Sequence, residues 1–315
     1  MHPAYSIIFF TTASGLGYGL MALTGLFAAA GVLPPGRWFG FALFFVSLGA
    51  VTIGLVSSTA HLGHPERSWR AFSQWRTSWL SREGVIAVLT YIPASLFAIG
   101  WVFLERNGGI WALFGVMSAM GAAGTVFCTG KIYATLKPIY QWTTPLVVPN
   151  YLALSLMSGA LWLSALAHLF GVTAPVIAWL TLFAVVLAWG LKRAYWRHID
   201  ATKAPSTAES ATGLGALGKV RLLDSPHTQE NYLMREMGYS VARKHAAKLR
   251  TIAAGLSFGL PLALSALSLA LPGALAAASA VLAALIAVPG LVIERWLFFA
   301  EAKHAVTLYY GAETA

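Results

Sequence analysis

Eight long apolar runs constrain this chain more than any other feature. They cover residues 5–33, 38–60, 84–104, 110–130, 151–171, 174–191, 251–271 and 275–298. A bilayer core about 30 Å thick is crossed by roughly 20 residues of helix, so each run has the length to span. Backbone polar groups in lipid must be satisfied within the protein, and a helix does this locally. Alternation with period two is absent, which excludes a β-barrel. Breaks between runs are chemically marked by Pro34-Pro35-Gly36, Asn107-Gly108-Gly109 and Pro272-Gly273. Composition agrees: 58% of residues are hydrophobic and only 10% charged, where a soluble domain carries about 25% charged residues. The expected fold is an all-α integral membrane protein, a bundle of eight transmembrane helices. It forms a single membrane domain over 1–315 with one long loop at 192–250. The first four residues lack a basic segment, so the first run is expected to be a membrane helix and not a cleaved signal peptide.

Eight crossings sort the loops onto two faces. One face carries both ends of the chain and loops 61–83, 131–150 and 192–250. The other carries loops 34–37, 105–109, 172–173 and 272–274. Of the 21 lysines and arginines, 19 fall on the first face; Arg37 and Arg106 alone fall on the second. Leaving out the 192–250 loop, which is long enough to weaken its vote, still gives eight against two. The positive-inside rule then places the first face, with both termini, in the cytoplasm. The net charge of +10 is therefore read as topology, and no nucleic-acid partner is expected. Outer loops hold a few residues each, so a soluble partner is expected to dock on the inner face.

The segment 57–84 holds most of the chemistry. It contains His61, His64, Arg67, Arg70, Arg76, Arg82, Glu83 and tryptophans at 69, 75 and 79. Tryptophan interleaved with arginine is the pattern of an interfacial belt, its arginines facing headgroups or an acidic partner surface. The ends of the segment differ. His61 follows the second run, one turn beyond Ser57 and on its face, and Glu83 precedes the third. Ionisable groups at that depth are costly and tend to be functional. A histidine and a carboxylate beside a lipid-facing slot can accept the protons of a quinol and hydrogen-bond quinone oxygens. The competing structural reading makes Glu83 a helix cap with Ser81 and His61 a satisfied helix end. Thr12, in the hydroxyl- and glycine-rich opening 10–19, lies level with His61; small residues there also allow close helix packing. Arg82 is placed to hold Glu83 charged or to bind a carbonyl oxygen.

Other signals narrow the cofactors. The single cysteine, Cys128, cannot hold an iron–sulfur cluster, which takes about four thiolates. A b-type haem needs two histidines at one depth on facing helices. His61 lies at the inner end of the second run and His168 at the outer end of the fifth, so no haem is expected. No metal site is expected either. Residues 200–218 read as a flexible linker, and 225–250 as a basic helix running into the seventh span. Glu294 and Arg295 stand side by side near the inner end of the eighth. Adjacent residues do not face each other on a helix, so each is expected to find a partner elsewhere.

Five stretches together resemble a known family. They are His-Pro-Ala-Tyr-Ser at 2–6, Phe-Thr-Thr-Ala at 10–13, Ala-His-Leu-Gly at 60–63, the run from Arg70 to Gly84, and Asn-Tyr-Leu-Met-Arg-Glu-Met-Gly at 231–238. The family is that of the DmsC-type membrane anchors, which includes the anchors of dimethyl sulfoxide reductase and, closest in pattern, the SoeC-type anchor of the sulfite-oxidising enzyme. The likeness runs through the whole chain, and the 70–84 run is its most specific part. It implies a three-part complex of the bacterial inner membrane. A catalytic subunit holds molybdopterin guanine dinucleotide, a second subunit holds four [4Fe–4S] clusters, and the anchor exchanges electrons with ubiquinone or menaquinone. The family's quinone-site histidine and carboxylate match His61 and Glu83, with Arg82, Ser57 and Thr12 as neighbours. Arg67, Arg70 and Arg76 are expected to dock the iron–sulfur subunit. The inward orientation favours sulfite oxidation coupled to quinone reduction; a menaquinol-oxidising reductase is the alternative. A transporter and a passive anchor without a quinone site remain open at this point.

Overall fold

The computed structural model describes residues 4–60, 62–202, 204–224, 226–227, 229, 231–237 and 241–315, the side chains of 241–244 excepted. Six long helices come first: α1 (Tyr5–Ala29), α2 (Arg37–Thr59), α3 (Trp79–Leu104), α4 (Ile110–Ala134), α5 (Val147–Leu169) and α6 (Pro175–Ala201). Two short helices follow, α7 (Ala208–Thr212) and α8 (Tyr232–Met237). The seventh span, His245–Ala270, is built from α9 (Val241–Ala254), a π-helical turn (Gly255–Gly259) and α10 (Leu260–Ala270). The eighth is α11 (Gly273–Ala300). Among the described residues, eight helices are long and apolar enough to cross a membrane, and none forms a named strand.

Helix α1 is the post around which the bundle stands, packed against α2, α4, α5 and α11. Its small residues permit this. A Cβ added at Gly19 would lie 1.9 Å from the Ser155 carbonyl oxygen of α5, and one at Gly25 would lie 2.1 Å from the Gly115 oxygen of α4. Backbone meets backbone at both crossings, so only glycine fits. The reciprocal position, Gly159 of α5, faces the Gly19 backbone. Bulky apolar side chains such as Phe45, Phe103 and Trp179 are exposed on the outside of the bundle, where lipid is their solvent. Pro93 and Pro289 lie inside α3 and α11. The π turn precedes Pro261, whose missing N–H cannot continue the α-helical ladder. Gly290 of α11 packs onto that turn, where an added Cβ would meet the Ser257 nitrogen at 2.5 Å.

Three parts of the chain differ most tellingly from the sequence expectation. Helix α3 starts five residues early, at Trp79, because Ser78 caps it by accepting the Ser81 N–H at 3.4 Å. Glu83 therefore lies a full turn inside the helix and is not its cap. Helix α6 runs ten residues past 191 to Ala201, carrying Lys192 and Tyr195 as buried residues. The expected linker at 200–218 is folded over much of its length. Thr207 and Ser210 form a capping box for α7, Thr207 bridges to Thr314, and Lys219 pairs with Glu313 at 2.9 Å. These are contacts to the C-terminal segment, which no local pattern announces.

The other face is spare and tied together. Arg37 pairs with Glu105 at 2.9 Å and donates to the Val102 carbonyl. Asn107 donates to the Leu33 carbonyl at 2.9 Å.

Candidate functional site

The loop after α2 begins as a 3-10 helix, Pro65–Phe72, with no buried residue. Arginine and tryptophan pair along it and into α3. Arg70 stands over Trp69, Arg76 over Trp75, and Arg82 over Trp79 at 4.3 Å. Such cation–π contacts keep the indoles amphipathic and the guanidinium groups forward. Trp69 and Trp75 are exposed, as an interfacial belt requires. The loop is pinned to α3 by polar contacts. Arg82 donates to the carbonyls of Trp75 and Arg76, at 3.0 and 2.6 Å, and the Ser81 hydroxyl donates to the Ala71 carbonyl. Gly84 leaves room for the Phe72 ring, which an added Cβ would approach at 2.9 Å.

Under this loop lies a cavity of about 810 Å³, within the roughly 300–1,000 Å³ span of small-molecule sites. Its walls come from the ends of α1, α2, α3 and α4 nearest the loop 62–72 and from that loop itself. Most of the lining is apolar. Val56, Leu80 and Val88 line it and are themselves exposed, so the cavity opens sideways toward lipid between α2 and α3. At the loop side stand His64 and Arg67; at the inner wall stand Glu83 and Tyr133. His64 Nδ1 and a Glu66 carboxylate oxygen lie 3.0 Å apart. Glu83 is buried, and its carboxylate accepts the hydroxyl of Thr129 from α4. The walls combine a mostly apolar lining with a buried carboxyl group at one side.

The candidate residues separate on this geometry. Glu83 lines the cavity. His61 lies outside the described residues; its neighbours Leu62 and Gly63 line the cavity. Arg67, expected in docking, lines the cavity and is exposed, as are Arg70 and Arg76. Ser57 is not part of the lining. Its hydroxyl bonds the Gly54 and Ser6 carbonyls, at 2.7 and 3.3 Å, and so joins α2 to α1. Arg82 turns to the loop backbone and Trp79 and makes no ion pair with Glu83. Thr12 returns its hydroxyl to the Ile8 carbonyl at 2.8 Å and borders a second, smaller cavity. Tyr133 and Thr129 were not foreseen at the site. They sit four apart, on one face of α4, at the depth of Glu83, which is the signal that marks them.

The family model for the dimethyl sulfoxide reductase anchor subunit (DmsC) matches residues 1–311. The chain belongs to the DmsC family. It is thus the membrane anchor of a molybdoenzyme, a non-catalytic subunit of an oxidoreductase complex, and the transporter reading falls away. The C subunit of sulfite dehydrogenase from Allochromatium vinosum is 34% identical, over 98% of this chain and 99% of that one. That likeness matches the pattern that the 70–84 run suggested.

A cluster of buried charge joins α6 and α11. Glu294 of α11 is fully buried and pairs with both Lys192 of α6 and its own neighbour Arg295. The i,i+1 pair forms because both side chains turn into the same crowded interior. The Arg295 guanidinium lies 4.3 Å from the Tyr151 ring centre, and the Lys192 ammonium 4.3 Å from that of Tyr195. Among the described residues, no group of three or more His, Cys, Asp or Glu is placed to hold a metal ion.

Proposed function

We propose that this anchor passes electrons from a docked iron–sulfur subunit to membrane quinone, serving a sulfite-oxidising molybdoenzyme. The observation that carries this reading is the large cavity with its lateral opening to lipid and Glu83 at its inner wall. The quinone ring would sit against Glu83 and Tyr133, with the isoprenoid tail leaving between α2 and α3. His61, whose neighbours Leu62 and Gly63 line the cavity, would face the other quinone oxygen. Two carbonyl oxygens must each gain a proton as the ring gains two electrons, and a carboxyl group and an imidazole are suited to that exchange.

The charge asymmetry supports a cytoplasmic docking face, since 19 of 21 basic residues lie on the side of the arginine-rich loop. Arg70 and Arg76, exposed and forward on that loop, would meet an acidic surface of the subunit that carries four [4Fe–4S] clusters. Beyond it lies the catalytic subunit with its molybdopterin guanine dinucleotide. The direction of flow follows the sulfite dehydrogenase relative, and the membrane is the bacterial inner membrane.

The test compares two rates in the same membranes: sulfite oxidation with a soluble dye, which takes electrons from the partner subunits, and with a short-chain quinone. Glu83→Gln and His61→Ala should each lower the quinone-to-dye ratio at least about tenfold, the low end of what general acid–base assistance contributes. An unaltered ratio in both variants would favour an anchor that tethers and does not transfer.

A further inference from the structure

Behind the inner wall of the large cavity lies the second one, of about 30 Å³. A water needs roughly 10–15 Å³ of such space, so it holds about two. Its lining mixes hydroxyls and a guanidinium with apolar side chains such as Leu16, Val126, Leu154 and Leu291. Thr12 and Ser14 come from α1, Thr129 from α4, Tyr151 and Ser155 from α5, and Arg295 from α11. The wall between the cavities is one side chain thick in two places. Thr129 borders the small cavity and bonds Glu83 of the large one. Tyr151 borders the small cavity and stacks on Tyr133 of the large one, with ring centres 5.7 Å apart.

Charged side chains stand on the far side of the small cavity. Arg295 Nη2 makes no hydrogen bond among the described residues, though its Nε binds Glu294. Glu294 also binds Lys192. The Lys192 ammonium lies 5.2 Å from the centre of the Trp196 ring, and Arg250 stands 5.6 Å from that same centre. Arg250 binds Asp200 at 2.7 and 3.1 Å and Glu301 at 3.0 and 2.6 Å. The Asp200 side chain is 57% exposed. Charged groups therefore stand in order from the exposed Asp200 to the small cavity, with the Trp196 ring between Arg250 and Lys192. A purely structural ion cluster has no need of a hydroxyl-bearing cavity at its end, nor of a guanidinium nitrogen without a hydrogen bond beside it. Two waters there would satisfy that nitrogen and touch Thr129.

We propose that the small cavity is a water-filled proton store behind the quinone pocket, fed from the Asp200 face and discharged through Thr129 to Glu83. This rests on the quinone reading above. The iron–sulfur partner, the reductant, gives up two electrons one at a time, and quinone is reduced to quinol. As a quinone oxygen forms its O–H bond, the O–H bond of the Glu83 carboxyl breaks. Cavity water then donates a proton to the Thr129 oxygen, and the Thr129 proton passes to the Glu83 carboxylate. Water on the Asp200 face replaces the proton lost from the cavity, so one proton leaves that face per quinol by this route, and the second reaches the other quinone oxygen through His61. A hydroxyl has one proton and two lone pairs, as this step needs. Thr129 already has a second acceptor, the Thr125 carbonyl at 3.0 Å, to hold its proton between transfers.

The experiment uses the whole complex in native membranes, with a short-chain quinone and a soluble dye as alternative acceptors. Thr12→Ile fills the small cavity with apolar volume and touches neither Glu83 nor the large cavity. Thr129→Val removes the relaying hydroxyl at constant shape, and Thr129→Ser restores it. Thr12→Ile and Thr129→Val should lower the quinone-to-dye ratio of turnover about tenfold, by loss of assisted proton transfer. The quinone KM should stay within twofold, the solvent deuterium effect should rise, and Thr129→Ser should recover most of the rate. An unchanged ratio in Thr12→Ile and Thr129→Val, with Glu83→Gln still impaired, would overturn the store and leave the quinone site standing. A raised KM with full turnover would overturn it too, making the small cavity part of the binding pocket. Full quinone turnover in Glu83→Gln would remove both readings together.

Discussion

Glu294 is the shared anion of two buried cations, and removing its charge should be the most damaging single change in α11. Its side chain is 0% exposed, against 1% for Lys192 and 4% for Arg295. Glu294→Gln would leave two buried charges without a counter-ion. Breaking one buried pair costs about 3–5 kcal/mol, largely as the penalty of the stranded charge. Lys192→Met is milder, because Glu294 keeps Arg295 and the apolar stem volume is retained. The loss of one charge-assisted bond there is about 1–3 kcal/mol. For a chain this long a kcal/mol corresponds to about 2 °C, the low end of the range for domains of 150–250 residues. Glu294→Gln should then lower the melting temperature of the detergent-solubilised complex by ~6–10 °C, and Lys192→Met by ~2–6 °C. Cys128, buried and the single thiol of the chain, gives the assay. Its labelling by a thiol dye during a heating series, read on the anchor's own gel band, reports opening of the bundle. The double variant should be no worse than Glu294→Gln alone, since it removes one stranded cation. Equal damage from both single changes, or an additive double, would refute the shared-anion argument.

Three further outcomes test the fold and its faces. Gly19→Val should drive α1 from α5, since its Cβ would lie 1.9 Å from the Ser155 oxygen; a loss of about 1–3 kcal/mol or more should appear as early Cys128 labelling. Reversing Arg70 and Arg76 to Glu should weaken co-purification of the iron–sulfur subunit most at low salt, with the deficit shrinking as salt screens the contact; equal recovery at every salt concentration would count against docking there. A reporter that works only in the periplasm, fused after Ala315, should be silent.

The share of this protein legible in its sequence follows from what lipid demands. Lipid offers the backbone no hydrogen bonds, so each crossing must be a continuous apolar helix, and such helices are visible as uninterrupted runs. Proline and glycine breaks, the tryptophan–arginine loop and the family likeness are likewise written in short stretches of chain. Glu83 stood out because a carboxylate beside an apolar run is expensive wherever it is. Ser78 shows the limit of that reading: a single capping hydroxyl moved the start of α3 and put Glu83 inside the helix.

What surrounds Glu83 was decided by tertiary structure alone. Thr129 bonds it and Tyr133 shares its cavity because α4 packs against α3, and Thr12 misses it because its face of α1 turns toward α5 and α11. Arg82 had a nearby carboxylate and took loop carbonyls instead, since those oxygens and the Trp79 ring lie on its side of the helix. The pairing of Lys192 with Glu294 joins α6 to α11 across about a hundred residues, and the two cavities exist only between helices. One-dimensional sequence sets the depth of each residue in the membrane, because rise along a helix is fixed. It does not set the rotation of each helix about its axis, which comes from packing glycine against backbone at crossings such as Gly19 with Ser155. Depth made the site guessable, and rotation chose its members.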